Sequence, residues 1–326
     1  MSAAWDNGTL LKYVQDLPDP RTIEGEADGN LMAYAYRLCL TTDRSNQVPF
    51  EAPPGYSTSD FELPQRYLHE LATHGKSAGL PWGNLPYREY PPGNKFDACC
   101  GSNPFGIDAV GLGVGYPNGT WADRRRVAAE IRYYTLGLAW FYTGDPDAQV
   151  PHDLRSELQK YGLCNDSWPE NGHVPPQLYA REAFRLVGDR VFTQNDRVPS
   201  QGPGSVCRND SVGVMTWGLD IHQMQRTPVQ SLDALQGSVA KLRGAAHNSG
   251  SVLAAAPVAF NEGLTSPGLD GHVPADMPAW ILFPKRSQLT NVMAPNCPSV
   301  SHVAFSAIRE EPTLMQLGTA AGVLAS

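Results

Sequence analysis

The clearest periodicity in the chain runs from Trp121 to Tyr142. Val127, Ile131, Tyr134, Leu138 and Phe141 recur at steps of four, three, four and three, which places them on one face of a helix. Thr120 stands where an N-cap belongs and Asp123 three positions on, a capping-box variant, and Gly144-Asp145-Pro146 ends the run. Weaker helical patterns cover Pro64 to His74, stopping at Gly75, Asp153 to Tyr161, stopping at Gly162, and Pro176 to Gly188. Strand-like stretches are Leu31 to Thr41, Val191 to Gln194, Val212 to Leu219, Val252 to Phe260 and a short buried run from Leu289 to Ala294. A polar loop from Pro295 to about Arg309 then leads to a last helix predicted to open at Pro312, with proline in the first turn. The fold class expected is α+β.

Composition narrows the function. The chain has 326 residues, 41% hydrophobic and 18% charged, enough for one large or two ordinary domains. A net charge of −8 argues against nucleic acid as a partner. No apolar run approaches the roughly 20 residues of a membrane span, and the first residues lack the basic and apolar regions of a signal peptide, so the compartment is left open. Thirty-one glycines and 28 prolines imply many turns.

Several motifs lose their apparent chemistry on inspection. His69-Glu70-Leu-Ala-Thr-His74 has its histidines five apart, about 140° around a helix, whereas a zinc-binding H-E-x-x-H needs four, so no metal site is expected. Gly111-Leu-Gly-Val-Gly115 is a G-x-G-x-G turn with no apolar strand before it and no Walker lysine after it. The six cysteines (Cys39, Cys99, Cys100, Cys164, Cys207 and Cys297) include no C-x-x-C pair. Their irregular spacing in a large chain argues against a disulfide scaffold, and Cys99 and Cys100 read as buried thiols. Asn7, Asn118, Asn165 and Asn209 each begin an N-x-S/T triplet, a pattern common enough by chance to carry no argument alone.

Two positions combine reactive groups. Asp220 and His222 are two apart, so on a strand both side chains point the same way. A carboxylate beside an imidazole is either a structural hydrogen-bonded pair or a general base with its orienting group. Arg37, inside an apolar strand, is either paired or aimed into a site. Near the C-terminus, a helix opening at Pro312 leaves the N–H groups of Thr313 and Leu314 free for a ligand's acceptor, with Glu310 and Glu311 at the positive end of the dipole. Gly318, Ala320, Ala321 and Gly322 give that helix a nearly bare side.

The segment "PSVSHVAFSAIREEPTLMQLGTAAG" resembles the closing segment of FAD-dependent oxidoreductases of the xanthan-lyase-like group, within a superfamily that includes heterodisulfide-reductase-like flavoproteins. "PPQLYAREAFRLVG", "NDSVGVMTWGLDIHQMQR", "LMAYAYRLCLT", "PPGY" and "PKRSQLTNVM" are similar to the same family. The resemblance implies an antiparallel-rich substrate domain with helices over residues 1–288, with a variable excursion near 229–250. Residues 289–326 would be a remnant strand and helix of a Rossmann-type FAD-binding domain. It further implies hydride transfer between a small organic or carbohydrate-like substrate and FAD. On this reading Asp220 and His222 take the substrate proton and Tyr179 and Arg181 hold the substrate; for the last two, a core tyrosine and a surface ion pair are the plain alternatives. Asn296, Ser299, Ser301, His302, Arg309, Glu311, Thr313 and Leu314 would face the flavin's pyrimidine end. Superfamily relatives also carry a [4Fe–4S] cluster, for which this sequence has no ligand motif. The strand, G-x-G-x-x-G loop and helix that grip the FAD pyrophosphate in relatives are not in the sequence, so either the chain is a fragment or partial gene product whose partner is a missing N-terminal FAD-binding half, or FAD binding has been lost. Two readings come from other classes. The chain would be a non-catalytic subunit that binds carbohydrate or depends on a partner; third comes a polysaccharide lyase.

Overall fold

Thr120 and Asp123 form the expected capping box. The Thr120 hydroxyl accepts from the Asp123 N–H, and the Asp123 carboxylate accepts from the Thr120 N–H. In the computed structural model, which describes residues 1–17, 28–82, 93–99, 104–197, 209–229, 257–263 and 274–326, this box starts helix α2. In chain order the elements are β1 (Leu38–Thr41), β2 (Gln47–Val48), α1 (Glu62–Thr73), β3 (Lys95–Ala98), α2 (Trp121–Thr143), α3 (His152–Leu158) and β4 (Gly162–Cys164). There follow α4 (Gln194–Arg197), β5 (Ser211–Met215), β6 (Gln225–Val229), β7 (Val258–Glu262), β8 (Ala275–Pro278), α5 (His302–Ile308) and α6 (Glu311–Ala325). The architecture is mixed helix and small antiparallel sheets, as an α+β fold requires. The described residues divide into two packed units, 1–180 with 223–262, and 181–222 with 263–326.

The first unit is organised on α2. Ile131, Tyr134, Leu138 and Phe141 are all buried, as their spacing predicts. Phe61 stacks among Tyr56, Tyr133, Tyr134 and Phe141. It can do so because position 137 is glycine, where an added Cβ would lie 2.6 Å from the Phe61 ring. A mid-helix glycine costs about 1 kcal/mol against alanine, which this aromatic packing offsets. Beside the helix lies a four-stranded sheet in the order β2-β4-β1-β3, antiparallel between its neighbours. A second pairing, β6 with β7, runs Gln225↔Glu262 to Val229↔Val258. It carries Arg226, which is buried with its guanidinium donating to Asn261 Oδ1 and the Pro104 carbonyl and lying over the Phe105 ring.

Cysteine is the first point of correction. Cys39 on β1 and Cys164 on β4 are disulfide-bonded across neighbouring strands, their Cα atoms 5.5 Å apart, and Cys99 is also disulfide-bonded rather than a thiol. Irregular spacing in sequence did not anticipate this, because the register Leu40↔Leu163 is what brings the two strands together. Cys297 is a free thiol; Cys100 and Cys207 lie outside the described residues.

The second unit packs β5 and β8, α5 and α6 around Phe192, Met215, Met277, Ile281, Phe305, Ile308 and Leu317. Gln316 on α6 completes the β5 edge: its Oε1 accepts from the Val214 N–H and its Nε2 donates to the Val214 carbonyl.

Three predicted elements are absent here. Residues 176–188 are extended, not helical: Pro175 and Pro176 supply no N–H, the Tyr179 N–H goes to the Ala35 carbonyl, and the Leu186 N–H goes to the Cys297 carbonyl. The strand expected over 191–194 is a single parallel bridge between Phe192 and Val300, and Gln194 already opens α4. Residues 289–294 are irregular, with Leu289 and Val292 exposed, so an apolar run there did not mean burial. The excursion at 229–250 lies, beyond Val229, outside the described residues, as do Val252–Ala256.

Candidate functional site

Asp220 and His222 sit just before β6, in an extended stretch that is not a strand, yet the two-residue spacing still sets their side chains together. Their closest approach, His222 Nε2 to Asp220 Oδ1, is 3.7 Å, an ion-pair distance too long for a hydrogen bond. Both are largely buried. Asp220 is fixed from three sides. Its Oδ2 accepts from Arg309 Nη2 at 3.0 Å, its N–H donates to Ser306 Oγ at 3.1 Å, and Trp217 Nε1 lies 3.4 Å from Oδ2. Arg309 also donates to the Asp220 carbonyl, and its second nitrogen lies 3.5 Å from Glu310. Arg309 is the C-cap residue of α5. The result is a carboxylate pinned by a guanidinium, with an imidazole beside it.

The opposite end of α5 holds a second charged group. Ser301 caps the helix by accepting from the Ala304 N–H. His302 Nδ1 lies 2.9 Å from Glu182 Oε2, and Arg185 Nη1 donates to the same oxygen at 2.9 Å. The Glu182 side chain is completely buried, so these contacts satisfy a charge that would otherwise be costly in the interior. Ser299 is likewise fully engaged, accepting from the Gly188 N–H and donating to the Arg190 carbonyl.

The opening of α6 differs from the expectation. The helix begins at Glu311 with Glu310 as N-cap, so Pro312 is its second residue. Both amides thought free are already used: the Thr313 and Leu314 N–H groups donate to the Glu310 carbonyl at 2.9 and 3.1 Å. Shifting the start by one residue turns ligand donors into ordinary helix bonds. Thr313 is buried, Glu311 and Asn296 are exposed, and Leu314 is half-buried. The bare side does exist, since an added Cβ at Gly318 or Gly322 would meet nothing within 4 Å. An apolar groove of about 500 Å³ runs along α6, lined by Val212, Pro312, Met315 and Val323 among others.

Of the residues expected to hold substrate, Arg181 belongs to the second unit and is buried rather than a surface ion pair. Tyr179 belongs to the first, where it bridges Ala35 and carries the Arg37 guanidinium 5.0 Å above its ring. Arg37 is thus paired: it also donates to both Asp97 carboxylate oxygens through Nε and Nη2. Burial alone would lower the Arg37 pKa, but the hydrogen bond and charge of Asp97 raise it overall. Trp217, Ser306, Glu182 and Arg185 complete the clusters around the named residues, and sequence reasoning had assigned none of them.

The sequence profile of the FAD dependent oxidoreductase family matches residues 7–326, so the chain belongs to this family, and flavin oxidoreductase chemistry with FAD as cofactor is what the family carries. No curated protein and no solved structure matches the chain significantly. Among the described residues no helix is long and apolar enough to cross a membrane. The residues assigned to the flavin do not fit it as they stand. The α6 amides are consumed by the Glu310 carbonyl, and Ser299 and Ser301 bond to backbone groups.

Proposed function

We propose that this chain provides the substrate side of a flavin oxidoreductase acting on a small organic or carbohydrate-like molecule. Asp220 and His222 handle the proton, and the cofactor's diphosphate is held by a dinucleotide-binding portion outside this sequence. The family match over residues 7–326 carries this reading. The pinned geometry of Asp220 supports the division of labour within the pair. With its carboxylate held by Arg309 and its N–H by the Ser306 hydroxyl, Asp220 is fixed in place. It therefore sets a fixed carboxylate 3.7 Å from the imidazole, and His222 is the group assigned to accept a substrate proton. Arg181, buried in the same unit, is assigned to substrate binding. Residues 289–326 are read as the returning segment of the FAD-binding domain, of the xanthan-lyase-like type, and the open small-residue side of α6 supports a further portion packing there.

The occupied α6 amides favour one other reading, a carbohydrate-binding subunit without catalysis. Flavin retention separates the two. The chain co-expressed with the upstream dinucleotide-binding portion and dialysed against FAD is expected to keep flavin absorbance that a sugar or small alcohol donor bleaches, with bleaching lost in His222→Gln. If that assembly retains no flavin, the oxidoreductase reading fails, and glycan binding by the chain without flavin would establish the subunit reading. An in-frame G-x-G-x-x-G loop upstream in the gene tests the missing portion independently.

A further inference from the structure

The chain carries four N-x-S/T triplets, and the structure puts the asparagine of each, Asn7, Asn118, Asn165 and Asn209, on an exposed turn or end. Exposure is necessary for modification but weak evidence alone, since asparagine is ordinarily at the surface. The discriminating observation is the cysteine chemistry. Disulfides persist where the environment is oxidising and are rare where glutathione and thioredoxin keep thiols reduced. Here Cys39 and Cys164 are bonded across β1 and β4, and Cys99 is bonded as well. The oxidising compartment in which such bonds form in a eukaryotic cell is also the one that glycosylates N-x-S/T.

We propose that this protein matures in an oxidising secretory compartment and is N-glycosylated at Asn118 and Asn165. These two asparagines lie between regular elements of the first unit. Asn118 sits in the turn that precedes α2, two residues before the capping Thr120. Asn165 directly follows Cys164, the last residue of β4, and opens the next turn, where the Asn165 N–H donates to the Asn46 carbonyl at 2.8 Å. Both residues are exposed to solvent and belong to no core. In the transfer, the amide nitrogen Nδ2 of the asparagine bonds to C1 of the first sugar. The bond from that carbon to the diphosphate of a lipid-linked oligosaccharide breaks, and the amide proton leaves; nothing is oxidised. The Sγ–Sγ bond forms separately, as two thiols pass two electrons and two protons to a disulfide of the compartment's exchange proteins.

The test uses protein purified without reductant from the cells that make it. Treatment with peptide-N-glycosidase in heavy-oxygen water should convert Asn118 and Asn165 to oxygen-labelled aspartate, read by peptide mass spectrometry. The same map under non-reducing conditions should link the Cys39 and Cys164 peptides. Asn118→Gln and Asn165→Gln should each remove one step of gel mobility. Unlabelled asparagine at both positions overturns the proposal whether or not the cysteines are linked, and free thiols at Cys39 and Cys164 overturn its compartment. Either failure leaves the flavin reading where it stands, because no residue of the Asp220 cluster is involved.

Discussion

Arg309 reaches across 89 positions of sequence to hold Asp220 twice, through its carboxylate at 3.0 Å and its own carbonyl at 3.2 Å. The Arg309 side chain is 4% exposed and that of Asp220 17%, so the pair is largely withdrawn from water. Removing one partner of a buried pair leaves an uncompensated charge, at a cost of about 3–5 kcal/mol. Arg309→Met is therefore expected to destabilise the second unit by about that amount in denaturant melts. Asp220→Asn, which keeps an acceptor for Arg309, should cost about 1–2 kcal/mol. A double-mutant cycle giving no coupling would remove the pair from the account. If His222 is the base, Asp220→Asn should also lower turnover more than it raises KM, in the flavin-loaded assay.

Asp145 gives a pH dependence in the other unit. Burial pushes its carboxyl pKa up, but hydrogen bonds from Tyr56, Thr58 and the N–H groups of Asp147 and Ala148 outweigh this and hold it below the ordinary carboxylate range. A depressed pKa stabilises the fold above the unfolded-state value, and that contribution is lost as pH falls through the folded-state value. Asp145→Asn should therefore destabilise the protein at neutral pH, by about 1.5–3 kcal/mol for hydrogen bonds to a charged group. The gap to the parent protein should narrow in acid. Thermal melts from neutral pH down to below the carboxylate range check this, and a gap constant with pH would refute it.

The disulfide between Cys39 and Cys164 closes a loop with a sequence separation of 125. Linking strands so far apart restricts the unfolded chain strongly, and removing such a bond costs about 2–5 kcal/mol. Replacing both cysteines by serine should lower the melting temperature and leave native flavin binding, where present, unchanged. The parent protein should show at least that loss on adding reductant, which also opens the Cys99 disulfide, and an unaltered melt under reductant would count against the bond in solution.

What the residues alone determined was local. The α2 face followed from steps of three and four, and its start followed from Thr120 and Asp123, because helix periodicity and capping depend on neighbours within a turn. The closeness of Asp220 and His222 followed from two-residue spacing in any extended chain, strand or not. The resemblance of the closing segment and of "PPQLYAREAFRLVG" pointed to the family that the profile match then established.

Tertiary structure decided everything that depends on distant partners. Arg309 is committed to Asp220, Glu182 to His302 and Arg185, and Cys39 to Cys164, and none of these pairings is visible in local pattern. The same holds for the errors. Residues 176–188 fail to be a helix because Ala35 and Cys297 take their backbone bonds, and the α6 amides fail to be free because the helix starts one residue early. A chain's own spacing fixes which groups can lie on one face, but which of them still has a hand free for a ligand is settled only when every other hydrogen bond has been made.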